Sequence, residues 1–232
     1  MGFSTKAVHC GDDSTDPTGS VVVPIYQTST YKETEPGTGN YVYLRTGNPT
    51  RNVLERAIAS LEEGKYGLAF SSGMAAESTI ALSCLRKGDH VVAVKDLYGE
   101  TRRLFDRVLS KLGIQFTYVE GAEPAQFEAA MKPETKMFWA ESPSNPLLRI
   151  VDLRRTADVA HKHNSIFVVD NTFMSSYLQQ PLKLGADIVV HSTTKYLGGH
   201  SDLIGGAVVV SDEELHQNIR FAQNAVGPFQ VH

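Results

Sequence analysis

The sequence is poor in cysteine and has no surplus of positive charge. Two cysteines occur among 232 residues and no Cys-x-x-Cys pair is present, so neither a disulfide framework nor a zinc site is indicated. The formal net charge of −4 provides no basic surface for nucleic acid or anionic lipid. No apolar run approaches membrane-spanning length, and the N-terminus has no signal-peptide core. We therefore expect a cytoplasmic protein whose partners are small molecules.

The first 45 residues differ from the rest of the chain. They carry polar turn clusters around one brief apolar segment at residues 21–26, and they show no sustained hydrophobic period. A segment of this kind gains little by folding alone, and becomes ordered when it is tied down on another surface. Residues 1–45 are therefore predicted to form an extended arm that contacts a neighbouring subunit, and residues 46–232 to form one large domain.

Within that domain, strand-like and helix-like segments alternate. Short β-branched runs predict strands at residues 67–70, 90–94, 115–119, 136–140, 166–169, 188–191 and 206–210. Apolar residues at helical spacing predict helices at about residues 52–61, 74–85, 100–112, 125–131, 153–163 and 212–224. This alternation indicates an α/β fold with a mainly parallel sheet and helices on both faces.

Chemically informative residues follow five of these strands, where the carboxyl ends of parallel strands bind ligands in open α/β sheets. In chain order they are the turn 71–74 at a helix start, Tyr98, Asn145 in a proline-bracketed loop, Asp170, and Lys195 after the hydroxyl residues 192–194. Taken singly, each has an ordinary structural explanation as a cap, core ring, turn former or surface lysine. Together they supply a phosphate cradle, a stacking ring, an amide, a carboxylate and an amine, which is the set that pyridoxal phosphate requires.

Two other kinds of chemistry fit the sequence less well. A lysine-dependent aldolase without cofactor would also use Lys195, but it would leave the phosphate cradle and Asp170 unexplained. A metal site is not indicated, because His161 and His163 lie two residues apart on a predicted helix and would face different sides.

Six motifs closely resemble the pyridoxal-phosphate enzymes of cysteine and methionine metabolism, the trans-sulfuration enzymes. They are Asn48–Arg51, Ser71–Ala75, Asp96–Gly99, Glu141–Pro146, Val169–Phe173 and His191–Asp202. The resemblance implies the type I fold of pyridoxal-phosphate-dependent transferases and a homo-oligomer, namely a tetramer built as a dimer of dimers. It also implies that the chain ends where the family's smaller C-terminal domain, with its carboxylate-binding arginine, would begin.

The same resemblance assigns roles to individual residues. Lys195 would bond covalently to the cofactor aldehyde and act as the catalytic base, Asp170 would pair with the ring nitrogen, and Tyr98 would stack on the ring and take a substrate proton. Asn145 would contact the cofactor 3-oxygen and the substrate carboxylate. The phosphate would be held by Gly73, Met74, Ser192 and Thr194, and by Tyr43 and Arg45 reaching across from a neighbouring subunit.

Within the family, the resemblance favours cystathionine γ-lyase, which releases cysteine, 2-oxobutanoate and ammonia by α,γ-elimination. Glu100 stands where methionine γ-lyases have a cysteine, and Arg103 aligns with an arginine that faces the distal part of the substrate. The alternative for Arg103 is a solvated helix residue. Two other functions remain open: γ-replacement, as in cystathionine γ-synthase or O-acetylhomoserine sulfhydrylase, and a truncated non-catalytic subunit.

Overall fold

The computed structural model describes residues 2–9, 19–35, 37–120 and 123–229, so Cys10 lies outside the described residues. These residues include one seven-stranded sheet with the order β1-β7-β6-β5-β4-β2-β3. β7 pairs antiparallel with β1 and with β6, and the other neighbouring strands are parallel. The strands are β1 Tyr66–Phe70, β2 His90–Val94, β3 Gln115–Val119, β4 Thr135–Glu141, β5 Ile166–Asp170, β6 Ile188–Ser192 and β7 Gly206–Val210. The predicted mainly parallel sheet is confirmed.

Eight α-helices lie within the described residues, and several of them connect consecutive strands. They are α1 Phe3–His9, α2 Pro49–Leu61, α3 Gly73–Cys84, α4 Gly99–Arg107, α5 Pro124–Ala129, α6 Leu153–Lys162, α7 Ser175–Leu178 and α8 Glu213–Val226. Side chains cap several of them, because the first backbone N–H groups of a helix need acceptors. Asn48 accepts from Arg51 N in α2, and Ser72 accepts from Ala75 N in α3. Within the described part of the chain, no helix is both long and apolar enough to cross a membrane.

Two predicted helices differ from the structure by three or more residues at one end, and α1 and α7 were not predicted. The helix expected at residues 52–61 begins earlier, at Pro49, because the Asn48 cap and the fixed φ of proline favour a helix start there. The helix expected at residues 100–112 ends at Arg107 and is followed by a 3₁₀ turn at Leu109–Leu112. The short helix α1 had no sequence signal.

Alternating residues of β7 show that helices cover both faces of the sheet. Ala207 and Val209 pack with Ile58 and Ala59 of α2. Val208 and Val210 belong to the larger core, to which Ile80 of α3 and Ile219 of α8 also contribute. Successive side chains of a strand point to opposite faces, so α2 lies on one face, and α3 and α8 lie on the other.

The predicted arm, residues 1–45, is only partly extended where it is described. α1 packs against α2, and the Lys6 ammonium lies 2.6 Å from a Glu63 carboxylate oxygen. Val21, Val22 and Ile25 follow and are 87%, 76% and 67% exposed. The contact of this arm with a neighbouring subunit stays a prediction.

Candidate active site

A cavity of about 320 Å³ lies at the sheet edge where the carboxyl ends of the parallel strands meet. Residues from the ends of β1, β2, β4, β5 and β6 surround it, which confirms that these five strands deliver their polar residues to one place. Its walls are formed by Ser72, Gly73, Met74, Glu77, Tyr98, Glu141, Asn145, Asp170, Thr172, Phe173, Ser192, Thr194, Lys195 and Ile204.

The start of α3 forms the part of the cavity suited to a phosphate. Ser72 caps the helix through Ala75 N, and among the described residues the N–H groups of Gly73 and Met74 have no acceptor. A Cβ atom on Gly73 would lie 2.9 Å from Ser192 Cβ, so the glycine lets the helix start approach β6 closely. Free N–H groups at a helix N-terminus bind anions well.

Gly206 of β7, which pairs with Ser192, also lets the helix start approach the sheet closely. A Cβ atom there would lie 2.1 Å from the Ser72 carbonyl oxygen, so any side chain at Gly206 would push the loop before α3 away from β7. The Thr194 hydroxyl is used nearby as a bridge within the chain: it donates to Gly205 O at 3.2 Å and accepts from Gly205 N at 3.1 Å. A phosphate contact by Thr194 would therefore share an oxygen that already bonds to the backbone.

Asp170 ends β5 as a buried carboxyl group. Its Oδ1 accepts hydrogen bonds from Thr172 N at 2.9 Å and from the Thr172 hydroxyl at 2.6 Å. Burial raises the pKa of Asp170, while the Thr172 hydrogen bonds lower it. The Thr172 hydroxyl also accepts from Ser192 N at 2.9 Å, so one side chain links the carboxyl of β5 to the end of β6. The charge of His191 also lowers the pKa of Asp170, and a cationic ring nitrogen would give this buried carboxylate a further partner of opposite charge.

Tyr98 lies at the start of α4 and is partly exposed on the cavity wall. Its backbone N–H donates to Glu141 Oε2 at 2.7 Å, which ties the tyrosine to the end of β4. Burial, together with the charge of Asp170, raises the pKa of Glu141 to about 8, although the Tyr98 hydrogen bond opposes the shift.

Lys195 follows β6 in a tight turn, where Gly199 N donates to the Lys195 carbonyl at 2.8 Å. The side chain lines the cavity, and its ammonium group has no ion-pair partner among the described residues. A lysine held at a cavity wall without a carboxylate partner is available for a bound ligand.

Three predicted site residues lie elsewhere. Arg103 is exposed on α4 and pairs with Glu100 at 2.8 Å, so its contact with substrate stays a prediction. The Arg45 guanidinium donates to Asn224 O at 2.6 Å and to Asn224 Oδ1 at 3.1 Å. Tyr43 is exposed beside it. Neither Tyr43 nor Arg45 lines this chain's own cavity, as expected for residues that would act on a neighbour, and that role also stays a prediction.

The structure adds cavity residues that the sequence did not single out, namely Glu77, Thr172, Phe173 and Ile204. Glu77 had a usable signal, because it lies four residues after Gly73 and residues at this spacing share one face of a helix. Thr172 and Phe173 stand in the motif that contains Asp170. Ile204 stands in an irregular segment, and we find no local signal for its position.

The residues present fit pyridoxal phosphate. The unpartnered N–H groups of Gly73 and Met74 suit a phosphate, the buried Asp170 suits a protonated ring nitrogen, and Lys195 is free to bond to an aldehyde. Because Gly73 has no side chain, the space between the start of α3 and Ser192 stays open.

Comparison with known proteins agrees with this chemistry. A probable cystathionine γ-synthase of Herpetosiphon aurantiacus is 49% identical over 97% of this chain and 71% of its own length. A cystathionine β-lyase of Lactococcus lactis subsp. cremoris is 50% identical over 97% of this chain and 59% of its own length. The crystal structure of cystathionine γ-lyase from Lactobacillus plantarum, complexed with L-serine, matches with a TM-score of 0.96 and 47% identity, covering 99% of this chain and 60% of that one.

The chain thus spans about 60–70% of the length of these relatives. Residues 4–231 match the sequence model of one family. On the strength of that match, together with the cavity and the relatives, this chain belongs to the Cys/Met metabolism PLP-dependent enzymes.

Proposed function

We propose that this chain provides the cofactor-binding domain of a carbon–sulfur lyase that cleaves L-cystathionine by α,γ-elimination. With one water, the reaction yields cysteine, 2-oxobutanoate and ammonia. The observation that carries the proposal is the convergence of Lys195, Asp170 and the α3 helix start on one cavity. The relatives support it at the coarser level, because they are enzymes named for reactions of cystathionine.

Each of four residues of this chain would have a separate role in the reaction. Bound pyridoxal phosphate supplies an electron sink that makes the substrate Cα proton removable. The Lys195 amine would take that proton as a general base. Asp170 would hold the proton on the ring nitrogen, and Tyr98 would stack on the ring and accept a proton from the substrate ammonium. Asn145 orients the substrate carboxylate at the cavity wall.

The second candidate is γ-replacement, in which a thiol adds at Cγ instead of leaving from it. It is favoured by the γ-synthase relative, of which the chain covers 71%. Elimination and replacement share the steps at Cα, where Lys195 acts, and differ in what reacts at Cγ. The residues of this cavity serve the shared steps, so the two functions are separated by products rather than by the presence of the cofactor.

A product analysis tests the proposal. The purified chain, saturated with pyridoxal 5'-phosphate, is incubated with L-cystathionine, and separately with cysteine plus O-succinylhomoserine or O-acetylhomoserine. We expect cysteine and 2-oxobutanoate in the first reaction. Homocysteine and pyruvate would instead show cleavage on the other side of the sulfur, and cystathionine formed only in the second reaction would show a synthase. Bound cofactor without any turnover would favour the non-catalytic subunit.

We also infer that residues 1–45 contact a second copy of the chain and place Tyr43 and Arg45 at its phosphate site. The exposed apolar side chains of Val21, Val22 and Ile25 support this, because a surface contact would bury them. In gel filtration we expect the chain to elute as a dimer or larger. Val22→Asp should shift it toward monomer and weaken cofactor binding, whereas Val108→Asp, at a half-exposed valine outside the arm, should not. A monomeric parent chain that binds the cofactor tightly would contradict the inference.

A further inference from the structure

Glu77 is an acidic side chain buried in the cavity wall, with no role among the assignments above. It lies in α3, is 3% exposed, and lines the cavity. Its Oε1 accepts a hydrogen bond from the Thr101 hydroxyl at 3.0 Å. Its Oε2 is buried and has no hydrogen-bond partner among the described residues. The Thr101 bond joins the helix that carries the phosphate cradle to the helix that follows Tyr98.

Glu77 shares the cavity with two other carboxyl groups, Asp170 of β5 and Glu141 of β4. Lys195 lines the same cavity, and α4 presents the neutral hydroxyl of Thr101. Three negative charges in so small a buried volume would repel one another strongly, because the low local dielectric screens them little. At least one carboxyl group must therefore keep its proton.

Hydrogen bonding distinguishes Glu77 from the other two groups. Glu141 accepts a hydrogen bond from Tyr98 N at 2.7 Å, and of the three carboxyl groups only Glu77 has a buried oxygen without a partner among the described residues. Asp170 accepts two hydrogen bonds from Thr172, and both favour its charged form. Glu77 accepts one, from Thr101, and its second oxygen accepts none. Burial first, and then the charges of Asp170 and Glu141, raise the pKa of Glu77 well above its usual value. A pair whose environments differ in this way separates into one acid and one carboxylate.

We propose that Glu77 is a positioning residue that stays protonated at neutral pH, leaves Asp170 as the carboxylate for the cofactor ring, and supplies a hydrogen-bond donor within the same cavity wall. Anchored through Oε1 to Thr101, it would carry its proton on the unpartnered Oε2. This role rests on the proposed pairing of Asp170 with the cofactor. Its first test uses the cofactor-free chain. The protonation of Glu77 can therefore be disproved while the proposed function stands, and the proposed function can be disproved while the protonation of Glu77 stands.

The first test compares chemical unfolding of the parent chain and Glu77→Gln between pH 5 and pH 9, without cofactor. A carboxyl group whose folded pKa is raised holds its proton more tightly when folded, so its contribution to stability is lost as pH rises toward the folded pKa. Glutamine cannot titrate. The unfolding equilibrium constant of the parent, divided by that of Glu77→Gln, should therefore rise about tenfold per pH unit, so that the parent loses stability relative to the variant at high pH.

Glu134→Gln, at an exposed carboxyl group, is the matched control and should run parallel to the parent. Glu141→Gln serves as the second comparator, because Glu141 also has a raised pKa. If the curves of Glu77→Gln and the parent are parallel as well, Glu77 is ionised in the folded chain and the proposal is wrong.

The second test measures binding of pyridoxal 5'-phosphate to Glu77→Gln and Glu77→Met. Glutamine is neutral, keeps an oxygen for Thr101 and offers a donor, whereas methionine has similar length and offers neither. We expect methionine to raise the dissociation constant about tenfold, the upper value for one ordinary hydrogen bond, and glutamine to restore most of the affinity. A loss with glutamine equal to that with methionine would mean that the charge is needed. No loss with methionine would mean that Glu77 does not act on this site. Either outcome overturns the proposal.

Discussion

Lys195→Ala is expected to abolish covalent attachment of the cofactor and to lower carbon–sulfur cleavage by more than about 10³-fold. The variant removes both the amine that bonds to the aldehyde and the base that takes the Cα proton. The fold should survive, because the Lys195 side chain is exposed on the cavity wall and pairs with no carboxylate among the described residues. The measurement is reduction with borohydride followed by mass spectrometry of peptides, which reports attachment without relying on turnover.

Lys195→Arg separates the two possible roles of this side chain. If Lys195 only neutralised the phosphate, arginine would keep the charge and most of the binding. We expect arginine to retain reversible binding of the phosphate. It should give no adduct on reduction, since a guanidinium does not form the covalent bond with the aldehyde. Lys111→Ala, at an exposed lysine in the 3₁₀ turn after α4, should behave like the parent. An adduct that maps to another lysine in the parent chain would refute the assignment.

The strand positions could be predicted from the sequence because most strands are short, buried and bounded by turns. β2 and β3 occur at their predicted bounds, His90–Val94 and Gln115–Val119. All five residues of β2 are buried, and the four after His90 form a continuous apolar run. Gly88 and Gly113, both with positive φ, end the preceding segments and mark where each strand can begin.

The order of the strands could not be predicted in the same way. Tyr66 of β1 pairs with Val210 at the far end of the chain, and β7 is antiparallel to both of its neighbours. Such pairings depend on contacts between distant segments, for which a local hydrophobic pattern carries no information. α1 was missed for a related reason, because a seven-residue helix has too few turns to show a period and is stabilised by packing on α2.

The site residues also differ in whether local sequence or contacts between distant segments reveal them. Asp170 and Lys195 could be predicted because each follows an apolar strand, and the ends of parallel strands converge. Glu77 was not singled out, although its spacing from Gly73 indicated a shared helix face, because a glutamate within a helix usually faces solvent. Its partner Thr101 belongs to a different helix, so no local pattern indicated that hydrogen bond. Glu141 was visible only as part of a loop motif, and its raised pKa arises from burial and from Asp170, which meets it only in the folded chain.

Asp170→Asn is expected to lower turnover by about 10² to 10³-fold while leaving the chain folded. Asparagine can accept both hydrogen bonds that Thr172 now donates to Oδ1, so the turn after β5 keeps its geometry. What the variant removes is the buried negative charge. Without that charge the ring nitrogen loses its proton more readily, and the electron sink that the reaction at Cα needs is weakened.

The pattern of the loss separates this role from a merely structural one. Cofactor binding should fall less than turnover, because the phosphate cradle and Lys195 remain, and unfolding of the cofactor-free chain should be no easier than in the parent. Thr172→Val is the comparison variant: it keeps the Asp170 charge but removes the 2.6 Å hydroxyl bond to Asp170 and the acceptor of Ser192 N, and we expect a smaller loss, of about tenfold. If Asp170→Asn turned over cystathionine at the parent rate, Asp170 would not be the partner of the ring nitrogen. The other cavity carboxyls, Glu141 and Glu77, would then have to be tested in its place.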